Sequence, residues 1–154
     1  MTGIYYADLF MINGVGCIIM GYGKTKACMS IVGDTTKMIM LDSIRLDYKD
    51  GILWGYGDAS MGILPKDKLS PPIEVKYFVY MESEEETNNN HINMTSINMF
   101  CEKAKLNIIM GCDDIKARET EFRDLIKRSS ALCVEVPWCV DHATKGRLLK
   151  AFIK

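Results

Sequence analysis

Gly21-Tyr22-Gly23-Lys24-Thr25 is the stretch richest in residue types that do chemistry. Two glycines free the backbone, a lysine offers an ammonium and a threonine a hydroxyl, as at the end of a phosphate-binding loop. Such a loop also needs a glycine five residues before the second one, and Ile18 stands there. It needs a helix directly afterwards, whose amides and dipole hold the phosphates. The following segment, Ala27 to Val32, reads as a strand, so the spacing predicts a tight hairpin without a nucleotide. Cys139-Val-Asp-His142 sets a thiol and an imidazole at C-x-x-H spacing, and Cys133 and Cys112 could complete a zinc site. No second C-x-x-C or H-x-x-x-H pair makes that spacing specific, so no metal and no cofactor is expected. The two histidines, His91 and His142, fall in a polar loop and at a helix start, and nothing in the sequence brings them together for acid–base work. Thr2 differs: removal of Met1 would set its own α-amine beside its hydroxyl, and the amine could then act as general base for that nucleophile.

A second candidate surface lies in Gly51–Gly62, GILWGYGDASMG. Ile52, Trp54 and Tyr56 alternate onto one face of a strand, and Leu53, Gly55 and Gly57 onto the other, where missing side chains admit a close neighbour. Asp58 can cap a helix or make a turn, followed by Ala59 and Ser60. Trp54, Tyr56, Asp58 and Ser60 are the candidate binding residues.

The elements that must position these groups follow from length and pattern. A chain of 154 residues suits one domain, 1–154. Hydrophobic content of 48% and charged content of 25% argue for a packed globular protein. A net charge of −1 gives no basic field for nucleic acid, no apolar run reaches membrane-span length, and no secretory signal opens the chain. The expected setting is the cytoplasm, with the six cysteines reduced. Eleven methionines and a lysine excess point to an AT-rich coding sequence, and from that to a phage or mobile element.

Residues 3–12 read as a strand, Asn13-Gly14 as a hairpin turn and Val15 to Tyr22 as the return strand. Ala27–Val32, Lys37–Tyr48 and the strand after Asp50-Gly51 complete an expected antiparallel meander of about five strands. Residues 58–64 could form a helical turn before Pro65 and Pro71-Pro72, and Ile73–Met81 returns to strand. Glu82–Asn90 is a polar loop. The last third turns helical: Thr95 or Ser96 caps a helix, Asp113 and Asp114 open a second, and Asp141 caps a third. Leu106–Met110 and Ala131–Val136 read as short strands between them. The class is α+β, an antiparallel meander or sandwich with helices packed on it and concentrated in the C-terminal third.

Several of these motifs together resemble the proteasome-like N-terminal nucleophile (Ntn) hydrolases, in a small phage-type form. The resemblance rests on Met1-Thr2 before a strand, the Asn13-Gly14 hairpin, Asp50-Gly51-Ile52-Leu53-Trp54-Gly55-Tyr56, and Met61-Gly62 with Leu64, Leu69 and Pro71-Pro72. It implies two antiparallel sheets between helix layers and a peptidase or amidase with Thr2 as nucleophile. Met20, Gly21 and Tyr22 stand where that family has an aspartate, and Ser43, Ile44 and Arg45 where it has a lysine. The resulting expectation is a non-catalytic binding or inhibitory protein, acting on a host protein or a small ligand and open to homo-oligomerisation. A hydrolase using Thr2 is the alternative.

Overall fold

The structure is a computed structural model that describes residues 2–57 and 71–153, with nothing specified for the side chains of residues 2 and 3. Among these residues there are nine strands and five helices, the α+β class expected, with four of the five helices after residue 96. All nine strands join one sheet.

Asn13 and Gly14 take φ of 53° and 78°, which closes β2 (Asp8–Ile12) onto β3 (Val15–Gly21) as expected. Asp50 and Gly51 repeat the geometry, φ 55° and 81°, between β5 (Ile44–Lys49) and β6 (Ile52–Gly57). β1 (Thr2–Tyr5) pairs with β5, and β4 (Thr36–Met40) pairs with β2. The expected strand 3–12 therefore breaks at Tyr6-Ala7. The expected strand 37–48 breaks near Asp42, whose φ of 64° turns the chain.

β7 (Ile73–Met81) is the hub. Its first two residues pair antiparallel with β6, and Val75 to Met81 runs parallel to β3. From Tyr77 onwards it also runs parallel to β9 (Leu132–Val136), to which β8 (Asn93–Thr95) adds an antiparallel edge. A simple meander is therefore corrected to a mixed sheet with a parallel centre. The physical reason is burial on both faces. Ile18, Met20, Phe78 and Tyr80 enter one core with Phe100, Phe122 and Leu125, while Cys17, Ile19, Val79 and Met81 enter another with Ala27, Cys28 and Leu149. Strands covered on both sides read as unbroken apolar runs, which parallel sheets favour.

α2 (Ile97–Lys103), α3 (Lys105–Ile109) and α4 (Ile115–Arg128) supply the first layer, and α1 (Lys24–Met29) and α5 (His142–Phe152) the second. Ser96 accepts from Met99 N, Asp114 from Ala117 N and Asp141 from Ala143 N, so α2, α4 and α5 start at the expected caps. Two segments are corrected from strand to helix: α1 replaces Ala27–Val32, and α3 replaces Leu106–Met110. Each is a run too short for periodicity to separate a buried helical turn from a strand. In both, tertiary packing decided. Ala27 and Cys28 bury against α5, and Ile108 buries beneath α4.

Candidate active site at the β3–α1 turn

β3 ends at Gly21, and α1 begins three residues later at Lys24. Gly21 has φ +100°, and a Cβ there would sit 2.4 Å from Met81 O, so only glycine lets β3 end this close to β7. Tyr22 N then donates to Met81 O at 2.9 Å. Gly23, φ +64°, is the helix N-cap, and a Cβ there would meet the His142 ring at 2.8 Å.

Lys24 carries the polar cluster of this turn. Its Nζ donates to Asp8 Oδ1 at 3.0 Å and to Asp42 Oδ1 at 2.7 Å, and lies 4.7 Å from the centroid of the Tyr6 ring. Thr25 Oγ1 donates to Asp8 Oδ2 at 2.7 Å, and Asp42 N donates to Asp8 Oδ1 at 2.9 Å. Asp8 is fully buried, whereas the Asp42 side chain is 47% exposed, so solvent reaches the cluster from the Asp42 side. Burial alone would pull the Lys24 pKa down. The hydrogen bond to Asp42 and the charge of Asp8 outweigh it, and the pKa is raised.

α5 backs the turn. The Lys145 ammonium donates to Tyr22 O at 3.4 Å on a residue only 1% exposed, and burial pulls its pKa down. His142 Nδ1 is buried without a hydrogen-bond partner.

A cleft of about 180 Å³ opens beside Gly21 and Tyr22, with Tyr6, Tyr80 and Lys103 in its wall. At its edge Lys103 Nζ bridges Glu82, at 2.8 Å, and Glu135. Burial pushes the Glu82 pKa up. For Glu135 burial acts in the same direction, but the bond from Lys103 prevails and lowers it. A larger groove of about 540 Å³ runs along α4, yet acids and bases alternate there along a single helix and converge on nothing. The smaller cleft adjoins the polar cluster through Tyr6, whose ring lies beside the Lys24 ammonium.

The residues singled out in the sequence fare differently. Thr2 lies in β1 opposite Asp47, and nothing is specified for its side chain. Trp54 and Tyr56 are half-buried on β6, on the face opposite the buried Leu53 and Gly55, and line neither cleft. Asp58 and Ser60 lie outside the described residues. Cys139 and His142 flank the start of α5, and among the described residues no group of three or more His, Cys, Asp or Glu stands together. Lys24 and Thr25 were visible in the sequence but were assigned to a hairpin. Asp8 was missed, although a lone carboxylate inside an apolar strand is a signal in itself. Asp42 was missed inside a strand too long to be continuous.

No protein-family model and no curated protein matches the chain. A solved structure does: the HPr(Ser) kinase/phosphatase from Coxiella burnetii, at TM-score 0.58 and 15% identity, covering 98% of this chain and 93% of that one. The two share a fold. That finding overturns the resemblance to Ntn hydrolases, which implied two antiparallel sheets where one mixed sheet with a parallel centre stands between helix layers. The same finding corrects the expectation of a non-catalytic inhibitory protein and the phage or viral origin, which rests on composition alone. The role given to Thr2 also loses its basis. No helix of the described residues is long and apolar enough to cross a membrane.

Proposed function

We propose that this protein binds a phosphorylated small molecule at the β3–α1 turn and acts in phosphoryl transfer, as the name of its kinase/phosphatase neighbour suggests. One observation carries the reading: Gly23-Lys24-Thr25 joins a central parallel strand to a helix, the setting in which that tripeptide serves phosphates. The ligand site then lies outside the carboxyl ends of β3, β7 and β9, where open α/β sheets place their ligands.

The site departs from a full phosphate loop. Ile18 is buried within β3, and only Tyr22 separates Gly21 from Gly23, so no long stretch of amides wraps the phosphates. Binding falls to side chains instead. Lys24 is the phosphate ligand, held ready by Asp8 and Asp42, and an entering phosphate competes with Asp42, the exposed partner. Lys145 adds positive charge behind Tyr22 without a carboxylate of its own among its hydrogen bonds.

Phosphoryl transfer of this kind uses magnesium, and the donors present fit it: Thr25 Oγ1, Asp8 and Asp42 are hard oxygens gathered around Lys24. The Thr25 hydroxyl and Asp42 would hold it only together with phosphate oxygens, as is usual for magnesium, while the fully buried Asp8, both oxygens engaged, would orient Thr25. The ion would supply charge neutralisation on the transferring group. This chain's residues orient that group through Lys24 and hold Thr25 against Asp8.

Six free thiols suit a cytoplasmic setting. A small-molecule ligand is the partner this reading favours. Homo-oligomerisation is a separate question for light scattering. The test is calorimetric titration with inorganic phosphate, pyrophosphate and ATP, each with and without magnesium. Saturable binding that Lys24→Met abolishes is the expected result. No binding of any of them up to about 1 mM, the upper end of ordinary enzyme affinities, would overturn the proposal.

A further inference from the structure

We infer that the cleft between the Gly21–Tyr22 turn and α3 is a binding site for a single planar, uncharged heterocycle that carries a hydrogen-bond donor and an acceptor on one edge.

The rim is apolar and exposed. Tyr6, Tyr22, Leu106 and Met110 are 37%, 55%, 69% and 54% exposed, and all four line this one cleft. Large apolar side chains scattered singly over a surface need no explanation, but four converging on one concave place mark a contact site. Two are tyrosines, whose ring faces receive flat π-systems, and Met110 brings a pliable thioether that adapts to a ring edge.

The rim is also pre-organised. Tyr6 N donates to Asn107 O at 3.1 Å, and Asn107 Nδ2 donates to Tyr6 O at 2.7 Å, so two reciprocal bonds pin the strand break at Tyr6 to α3. A receptor group fixed in advance loses little freedom on binding.

The polar wall sets the ligand's chemistry. The Lys103 ammonium already lies between Glu82 and Glu135, so it presents no unmatched positive charge for an anion. Three N–H groups on an ammonium against two carboxylate partners leave one to donate. Asn107 uses its amide nitrogen on Tyr6, which leaves its side-chain oxygen to accept. One donor and one acceptor beside two tyrosines select a ring whose edge offers the reverse pair. The volume, about 180 Å³, is below that of drug-sized sites and suits one ring system.

The inference is independent of the phosphate reading, because its probes carry no phosphate. Uracil, hypoxanthine and nicotinamide are titrated into the ¹⁵N-labelled protein, with indole as the ring that lacks an acceptor. At least one of the three should shift the amides of Tyr6, Tyr22, Asn107 and Met110 saturably, and indole should bind more weakly. Tyr22→Ala should weaken binding about tenfold, within the range found when a stacking partner is removed. Leu106→Glu, at a position open to solvent, should abolish it. Three results would each overturn the inference: no saturable shift with any of the three rings, equal binding by indole, or binding unchanged in both variants.

Discussion

Lys24→Met is the most informative single change. It strips the ammonium from Asp8, a carboxylate with no solvent exposure, and leaves that charge with the Thr25 hydroxyl and the Asp42 N–H alone. Breaking a buried pair by removing one partner costs roughly 3–5 kcal/mol, because the survivor is a desolvated charge. The two remaining donors and the exposed Asp42 side place this case at the lower end, about 3 kcal/mol, against a total stability of roughly 5–15 kcal/mol. With a urea m-value of about 1–3 kcal/mol/M, the midpoint should fall by about 1–3 M. Asp8→Asn in the same chain removes the stranded charge, keeps one oxygen to accept from Asp42 N, and offers an amide NH2 that can donate to the Thr25 hydroxyl oxygen. The double variant should therefore regain about 1–2 kcal/mol relative to Lys24→Met. The assay is urea unfolding of the wild type, both single variants and the double. A loss below about 1 kcal/mol for Lys24→Met, or a double variant no better than the sum of the singles, would refute the account of Asp8 as a buried charge held by Lys24.

The same network fixes a pH dependence. Lys24 has a raised pKa in the folded state, so its contribution is fully present below the ordinary lysine value, about 10.4, and is lost as pH rises through the folded value. Lys145 has the opposite sign. Its folded pKa is lowered, so it costs stability at neutral pH, and that cost fades as pH climbs towards about 10.4. Lys145→Met should stabilise the protein at neutral pH by about 1 kcal/mol, or about 2–4 °C in Tm, while weakening phosphate binding. An unchanged or lower Tm would show that the ammonium is better satisfied than its single long bond to Tyr22 suggests. Glu135 has a lowered pKa, so acid removes its contribution as pH falls below about 4.3, whereas Glu82, raised by burial, acts in the opposite sense. Glu135→Gln should flatten acid unfolding followed by circular dichroism. Gly146→Ala should destabilise by more than about 2 kcal/mol in thermal melts, since the new Cβ would stand 2.3 Å from Ala27 O between α1 and α5. Native-state alkylation with iodoacetamide, read by intact mass, should label Cys112 and Cys139 alone. Burial covers the other four thiols and pushes Cys17 and Cys133 to about 12 and Cys101 to about 11.

The sequence by itself determined what is local. Asn13-Gly14 and Asp50-Gly51 specify hairpins because both residues of each pair accept positive φ. Ser96, Asp114 and Asp141 specify helix starts because a side-chain oxygen satisfies an amide two or three residues on. Phe122, Leu125 and Ile126 set the buried stripe of α4 by their spacing. Tertiary structure decided the rest. Gly16–Gly21 pairs with a strand some sixty residues away, in a parallel direction that no turn signals. Ala27 and Cys28 form a helix because α5 covers them. The candidate site joins Asp8, Lys24 and Asp42, 16 and 18 residues apart along the chain, and their meeting depends on a sheet order that brings β2 between β3 and β4. Ala27–Val32, a mostly apolar six-residue segment shortly after Gly23-Lys24-Thr25, carries equal evidence for strand and for helix. The burial of one face against a helix that begins more than a hundred residues later settles it.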